Sequence, residues 1–207
     1  MEGVSETLTP AEAWQTLRDG NERFVAGTSI HPNQNAARRS ELVSTQNPFC
    51  VIFGCSDSRL AAEIIFDLGL GDAFVVRSAG QVIDDAVLGS LEYAIDPLGV
   101  PLIVILGHDS CGAVTASVNA FSSGTMPQGF VRDLVERIMP SVITAQRNGV
   151  TTVDETVVEH VKQTGERLLE TSQVIARAVE EGRTAVLGVC YHLDEGKAEL
   201  VSGLGNV

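Results

Sequence analysis

The chain is poor in positive charge, in histidine and in cysteine. Only 14 Lys and Arg stand against 27 Asp and Glu, a formal net charge of −13, with four histidines and four cysteines in 207 residues. No basic stripe offsets that charge, which argues against nucleic acid or an anionic membrane as partner. No stretch approaches the ~18 apolar residues needed to cross a bilayer. The opening "MEGVSETLTP" has neither a basic nor an apolar signal region, so no secretory signal is expected and the cytoplasm is the expected compartment. There is no low-complexity tract and no repeat at solenoid periods. Without export, the cysteines are expected as reduced thiols. Without a Cys-x-x-Cys, a thiol redox role has little to rest on.

A hydrophobic fraction of 44% with 20% charged residues suits a globular chain able to bury a core, one domain with an appended arm. Thr9-Pro10-Ala11-Glu12 reads as a capping box with proline at the first helical position. The helix that follows places Ala13, Leu17, Phe24 and Val25 near one face, with Trp14 beside them, and Gly27 ends it. Compact apolar runs at Cys50–Gly54, Ala73–Val76, Leu102–Leu106 and Ala185–Val189 read as buried strands. Helical patterns lie between them at 60–68, 84–96, from 112, at 130–147 and at 154–181. "YHLDEGKAELV" reads as a strand, a turn and a last strand. The alternation predicts an α/β fold with a mainly parallel central sheet flanked by helices, and an N-terminal helical arm. The expected division is 1–45 for the arm and 46–207 for the catalytic body.

In open sheets of this kind functional groups gather at the carboxyl ends of the strands. Cys55 follows the run 50–54, His108 follows 102–106, and Cys111 opens the next helix, so all three fall on one edge. Two thiolates and an imidazole are natural zinc ligands, and three ligands leave a fourth position open for water. A water on an open zinc ion becomes hydroxide near neutral pH. The helix start favours the thiolate of Cys111. Asp57 and Arg59 follow Cys55 on a polar turn, where Asp57 is a fourth ligand, a hydrogen-bond partner of the water held by Arg59, a surface ion partner, or a helix cap. Cys190 and His192 form a rival pair on one strand face, without a third ligand nearby. Cys50 faces away from Cys55 and reads as core, while His31 and His160 read as solvated.

"CSDSR" followed about fifty residues later by "GHDSCG", with "AFVVRSAG" and "LEYA" between, resembles the β-class carbonic anhydrases from about residue 10 onward. The resemblance implies one Zn2+ per subunit on Cys55, His108 and Cys111. It implies reversible hydration of CO2 to bicarbonate and a proton, by zinc-bound hydroxide oriented by an Asp57–Arg59 dyad. It further implies a substrate pocket at a dimer interface, with Gln46, Phe74 and Tyr93 as pocket residues and Ala79 where valine is frequent. A backbone N–H near Gly112 would help stabilise charge on the substrate oxygens. In a closed state at low pH, Asp57 would leave Arg59 and ligate zinc. Homodimers, pairing further into tetramers, are the implied assembly. Ile52 stands where some members have a tryptophan, which removes the expectation of a regulatory bicarbonate site. Two alternatives remain at this level: hydrolysis of carbon disulfide or carbonyl sulfide on the same scaffold, and a structural zinc clip with no catalysis.

Overall fold

A computed structural model describes residues 8–207; the opening stretch 1–7, including the region read for a signal and the start of the arm, lies outside the described residues. Five strands form one sheet in the order β2-β1-β3-β4-β5: β1 Cys50–Cys55, β2 Ala73–Ser78, β3 Leu102–His108, β4 Ala185–Tyr191 and β5 Ala198–Leu204. The first four are parallel, and β5 returns antiparallel beside β4. Every residue of β1, β3 and β4 is buried, which explains their unbroken apolar character: a strand covered on both faces has no solvent side on which to place polar groups. β2, at the edge, is only half-buried.

Helices cover both faces. On one, α7 (Val153–Thr171) presses against β3 and β4. A β-carbon on Gly107 would lie 2.5 Å from Val161 Cγ2, and one on Gly188 2.8 Å from Val161 Cγ1. These two glycines let α7 sit close to the sheet, and that approach matters for the site. α5 (Gly112–Ser123) and α6 (Val131–Arg147) pack beside α7. α1 (Pro10–Val25) lies toward the other face and buries Ala13, Trp14 and Leu17 in the core. Its capping box is formed: Glu12 N–H donates to Thr9 Oγ1, and Thr9 N–H donates to Glu12 Oε2. α2 (Ala36–Glu41) follows, and α4 (Asp85–Ile95), capped by Asp84, joins β2 to β3.

Two helical expectations are corrected. The pattern at 60–68 yields only α3 (Ala62–Ile65), because Asp67 adopts φ of 49° and is drawn elsewhere. Its buried carboxylate accepts the N–H groups of Ile30 and His31 and the Arg23 guanidinium. The pattern at 154–181 breaks at Ser172 into α7 and α8 (Gln173–Glu180). Ser172 Oγ accepts the N–H of Ile175 as the cap of α8 and donates to Glu92 Oε1 at 2.6 Å, a pairing with α4 invisible to local periodicity.

Candidate metal centre

β1 and β3 are hydrogen-bonded neighbours with Gly54 opposite Leu106, so their carboxyl ends deliver Cys55 and His108 to the same edge. The chain then turns through Ser110, at φ of 53°, and enters α5 with Cys111 at the cap position. The Sγ atoms of Cys55 and Cys111 and a ring nitrogen of His108 all lie within 4.8 Å of one another, and all three residues are buried. His108 Nδ1 lies 2.7 Å from the Asp109 carbonyl, which can only accept, so Nδ1 carries the proton and Nε2 is left with a bare lone pair. Nε2 is buried and has no hydrogen-bond partner among the described residues. An orphaned buried acceptor costs about 1–3 kcal/mol unless something binds it. Aimed at two thiols, it makes a donor set that fits a divalent metal with thiolate and imidazole preferences.

The sulfurs share a proton unequally. A hydrogen bond from the Cys111 thiol, helped by backbone N–H groups including that of Gly80, holds the Cys55 thiol well below its ordinary range despite its burial. The resulting thiolate, with burial, pushes Cys111 up, against the pull of the Ala113 and Val114 amides at the start of α5. A metal ion would take the place of that proton and draw on both sulfurs. Gly80, in the tight turn Ala79–Gln81 after β2, donates its N–H to Cys55 Sγ at 3.3 Å. Arg77 braces the other side, donating to the carbonyls of Cys55 and Asp57.

Asp57 stands beside the cluster in the fork of Arg59. Nε and Nη2 of Arg59 donate to the two carboxylate oxygens at 2.9 and 2.8 Å, and the Arg59 N–H adds a third bond. These bonds hold the Asp57 carboxyl well below the usual carboxylate range. Asp57 Oδ2 is 3.9 Å from His108 Nε2, so the carboxylate overlooks the donors without joining them. The helix-cap alternative fails: α3 starts behind Ala61, which offers no side-chain cap.

The other expected pocket residues divide into two places. Ala79 and Gly112 border the donors, one beside Gly80 and the other beside Cys111. Gln46, Phe74 and Tyr93 lie elsewhere. Gln46 and Tyr93 line one surface hollow with Leu42 and Leu98, and the Phe74 ring is 6.2 Å from that of Tyr93. In register Ser78 is level with Cys55 and Phe74 with Val51, which puts Phe74 four residues, about 13 Å, back along the strand.

Cys190 is buried and its thiol is pushed up to about 12 by burial, while His192 lies past the end of β4 with Nε2 3.0 Å from Glu199 Oε2. Cys50 is core, as its parity predicts. His31 is exposed. His160 is not: it is almost fully buried in α7, and burial holds its imidazole down to about 4. Its position was legible, since Val157, Val161, Thr164 and Leu168 mark the same inward stripe. Arg77, Gly80, Gln81 and His160 are the members of the site's surroundings that motif spacing missed. Gln81 is buried at φ of 42°, and its amide has no hydrogen-bond partner among the described residues.

Fold and site together define a class: a parallel-cored α/β protein with a buried cluster of three candidate metal donors at the carboxyl edge of its sheet. The family model described as carbonic anhydrase matches residues 50–198. A carbonic anhydrase of Mycolicibacterium smegmatis is 54% identical over 198 residues, covering 96% of each chain, and carbonic anhydrase 2 of Mycobacterium tuberculosis gives the same figures. Among solved structures, a β-carbonic anhydrase of Aspergillus fumigatus superposes with a TM-score of 0.70 at 26% identity, covering 90% of this chain and 89% of that one. One of the tetrameric β-carbonic anhydrases of Sordaria macrospora reaches 0.71 at 23% identity over 94% and 100%, a likeness of fold. The chain belongs to the carbonic anhydrase family, in its β class, whose reaction is the zinc-dependent, reversible hydration of carbon dioxide.

Proposed function

We propose that Cys55, His108 and Cys111 hold one zinc ion per subunit and that Asp57 and Arg59 are the catalytic pair of a cytoplasmic CO2 hydratase. The observation that carries this is the orphaned Nε2 of His108, converging with two thiols while Asp57 is occupied by Arg59. Zinc on three such donors supplies an acidified water as nucleophile. Asp57, ionised and fixed in two dimensions by the planar guanidinium, accepts the remaining hydrogen of the attacking group and so aims its lone pair at the substrate carbon. Because Arg59 makes three bonds to Asp57, three donors rather than four face the metal position, which favours an open centre over a structural clip. Gly112, at the positive end of α5, offers a backbone N–H to the oxygens that gain charge.

Gln46, Phe74 and Tyr93 then act in trans. Displaced along the sheet from their own donors and grouped on an exposed face, they suit a homodimer in which each subunit walls the other's substrate pocket. Exposed Val25, Ile30 and Val43, outside the stretch of α1 that packs on its own core, offer apolar side chains to a partner, in keeping with 1–45 as an arm and 46–207 as the catalytic body. Cytoplasmic residence is supported by four unpaired cysteines, all buried. Among the described residues no helix is long and apolar enough to cross a membrane.

The test is stopped-flow CO2 hydration by the zinc-loaded protein from acidic to alkaline pH. Rapid turnover that rises with pH is expected. A protein holding stoichiometric zinc yet inert at every pH would overturn the hydratase assignment.

A further inference from the structure

We propose that His160 is a positioning residue for the metal centre: it clamps the Gly80 peptide so that the Gly80 N–H stays on the Cys55 sulfur. The inference rests on the metal reading above and concerns residues that touch neither metal nor substrate. His160 Nε2 is 2.8 Å from the Gly80 carbonyl, and the N–H of the same residue is 3.3 Å from Cys55 Sγ. A carbonyl can only accept, so Nε2 carries the ring proton. Nδ1, left with the lone pair, faces the hydroxyl of Ser141 2.9 Å away in α6, whose one proton it shares with Gln163 Oε1 at 3.1 Å, and this contact holds the ring plane. Ser141, His160, Gly80 and Cys55 form one hydrogen-bonded line from α6 through α7 to the metal donors.

The turn needs such a clamp. Gly80 has φ of 68°, and a β-carbon there would lie 2.8 Å from Ala113 Cβ and 2.9 Å from Ile138 Cδ1. Glycine is the residue that fits, and glycine brings no side chain to restrain its own peptide. Gln81 follows at φ of 42°, so two successive left-handed residues must be held by their surroundings. α7 supplies the hold, because Gly107 and Gly188 let it approach the sheet closely enough for His160 to reach the turn. An N–H on a thiolate withdraws charge from the sulfur, stabilises its ionised form and orients it, as outer partners do for other metal ligands. When the clamp is lost the Gly80 peptide is free to rotate, and the Cys55 sulfur loses its donor and is less well aimed.

The test uses the full chain loaded with cobalt(II), whose thiolate-to-metal charge-transfer band reports the sulfur directly, together with zinc affinity by chelator competition. His160→Leu removes the donor; His160→Gln carries an N–H the same number of bonds from the backbone. The expected result is a red-shifted band and roughly tenfold weaker zinc in His160→Leu, with both values returning toward wild type in His160→Gln. Ser141→Ala, which keeps the imidazole but removes the hydroxyl that holds its ring plane, is expected to shift the band in the same direction by less, and it serves if His160→Leu does not fold. A folded His160→Leu, or failing that Ser141→Ala, with an unmoved band and unchanged affinity overturns the proposal, even if its melting temperature falls. Wild-type protein that takes up neither zinc nor cobalt overturns the metal reading instead.

Discussion

Two cysteine–histidine pairs stand at the carboxyl ends of adjacent strands, and they behave oppositely. At the end of β3, His108 is buried with a bare nitrogen, and two sulfurs face it. Beyond β4, His192 is half-buried, its Nε2 meets Glu199, and the Cys190 thiol is kept neutral by burial. Residue types are the same; the difference is whether the donors converge and whether anything else in the protein satisfies them. A metal centre is a place where the fold leaves donors wanting one common partner.

That contrast is sharpest under cysteine replacement. Cys111→Ser is expected to abolish stoichiometric zinc and CO2 hydration together, whereas Cys190→Ser leaves zinc content at one per subunit and activity within about twofold, since a buried thiol-to-hydroxyl change acts on packing rather than on the metal. Metal analysis of the two purified variants decides it, and equal zinc loss in both would erase the distinction between the pairs.

Arg59 belongs to the first pair's surroundings alone. Arg59→Ala should retain zinc and lower kcat by about a hundredfold, the scale of losing a pre-organised polar group. Full activity in a zinc-replete Arg59→Ala would remove Asp57 and Arg59 from the mechanism.

An effect on stability rather than on turnover separates a third histidine from the other two. Burial brings His160 down to about 4 from an ordinary 6.5, partly opposed by the Gly80 carbonyl. Above about pH 6.5 the imidazole is neutral in both the folded and the unfolded chain, and stability is at its full value. As pH falls from about 6.5 to about 4, the unfolded chain binds a proton that the fold refuses, so stability declines by an amount on the order of 3 kcal/mol. Urea unfolding at several pH values should show this slope in wild type and a flatter one in His160→Gln. An equal slope in both would place the acid sensitivity elsewhere.

The strands, their order of appearance and the three metal donors could be read from the chain because each depends on local facts. Runs such as "LIVIL" need burial on both sides, and polar residues directly after them land on the carboxyl edge of any parallel sheet. Gly80's bond to Cys55 could not be read that way, since it depends on two residues 25 apart meeting through a turn. His160 carried a visible sign in the stripe of α7, yet what it touches is 80 positions away. Phe74 was legible as a motif member, but only the β1–β2 register shows how far it stands from its own donors.

The sequence alone therefore determined which chemistry is available here: two thiols, one imidazole and an Asp–Arg pair at strand ends, in an acidic chain. Tertiary structure decided that two cysteines and one histidine converge with a ring nitrogen left unpaired, which carboxylate stays clear of them, and which histidine stands behind them. The reason is physical: apolar periodicity acts between near neighbours and survives in one dimension. Convergence, burial and an unmet lone pair are properties of groups brought together from distant segments, and they exist only once the sheet and its helices have packed.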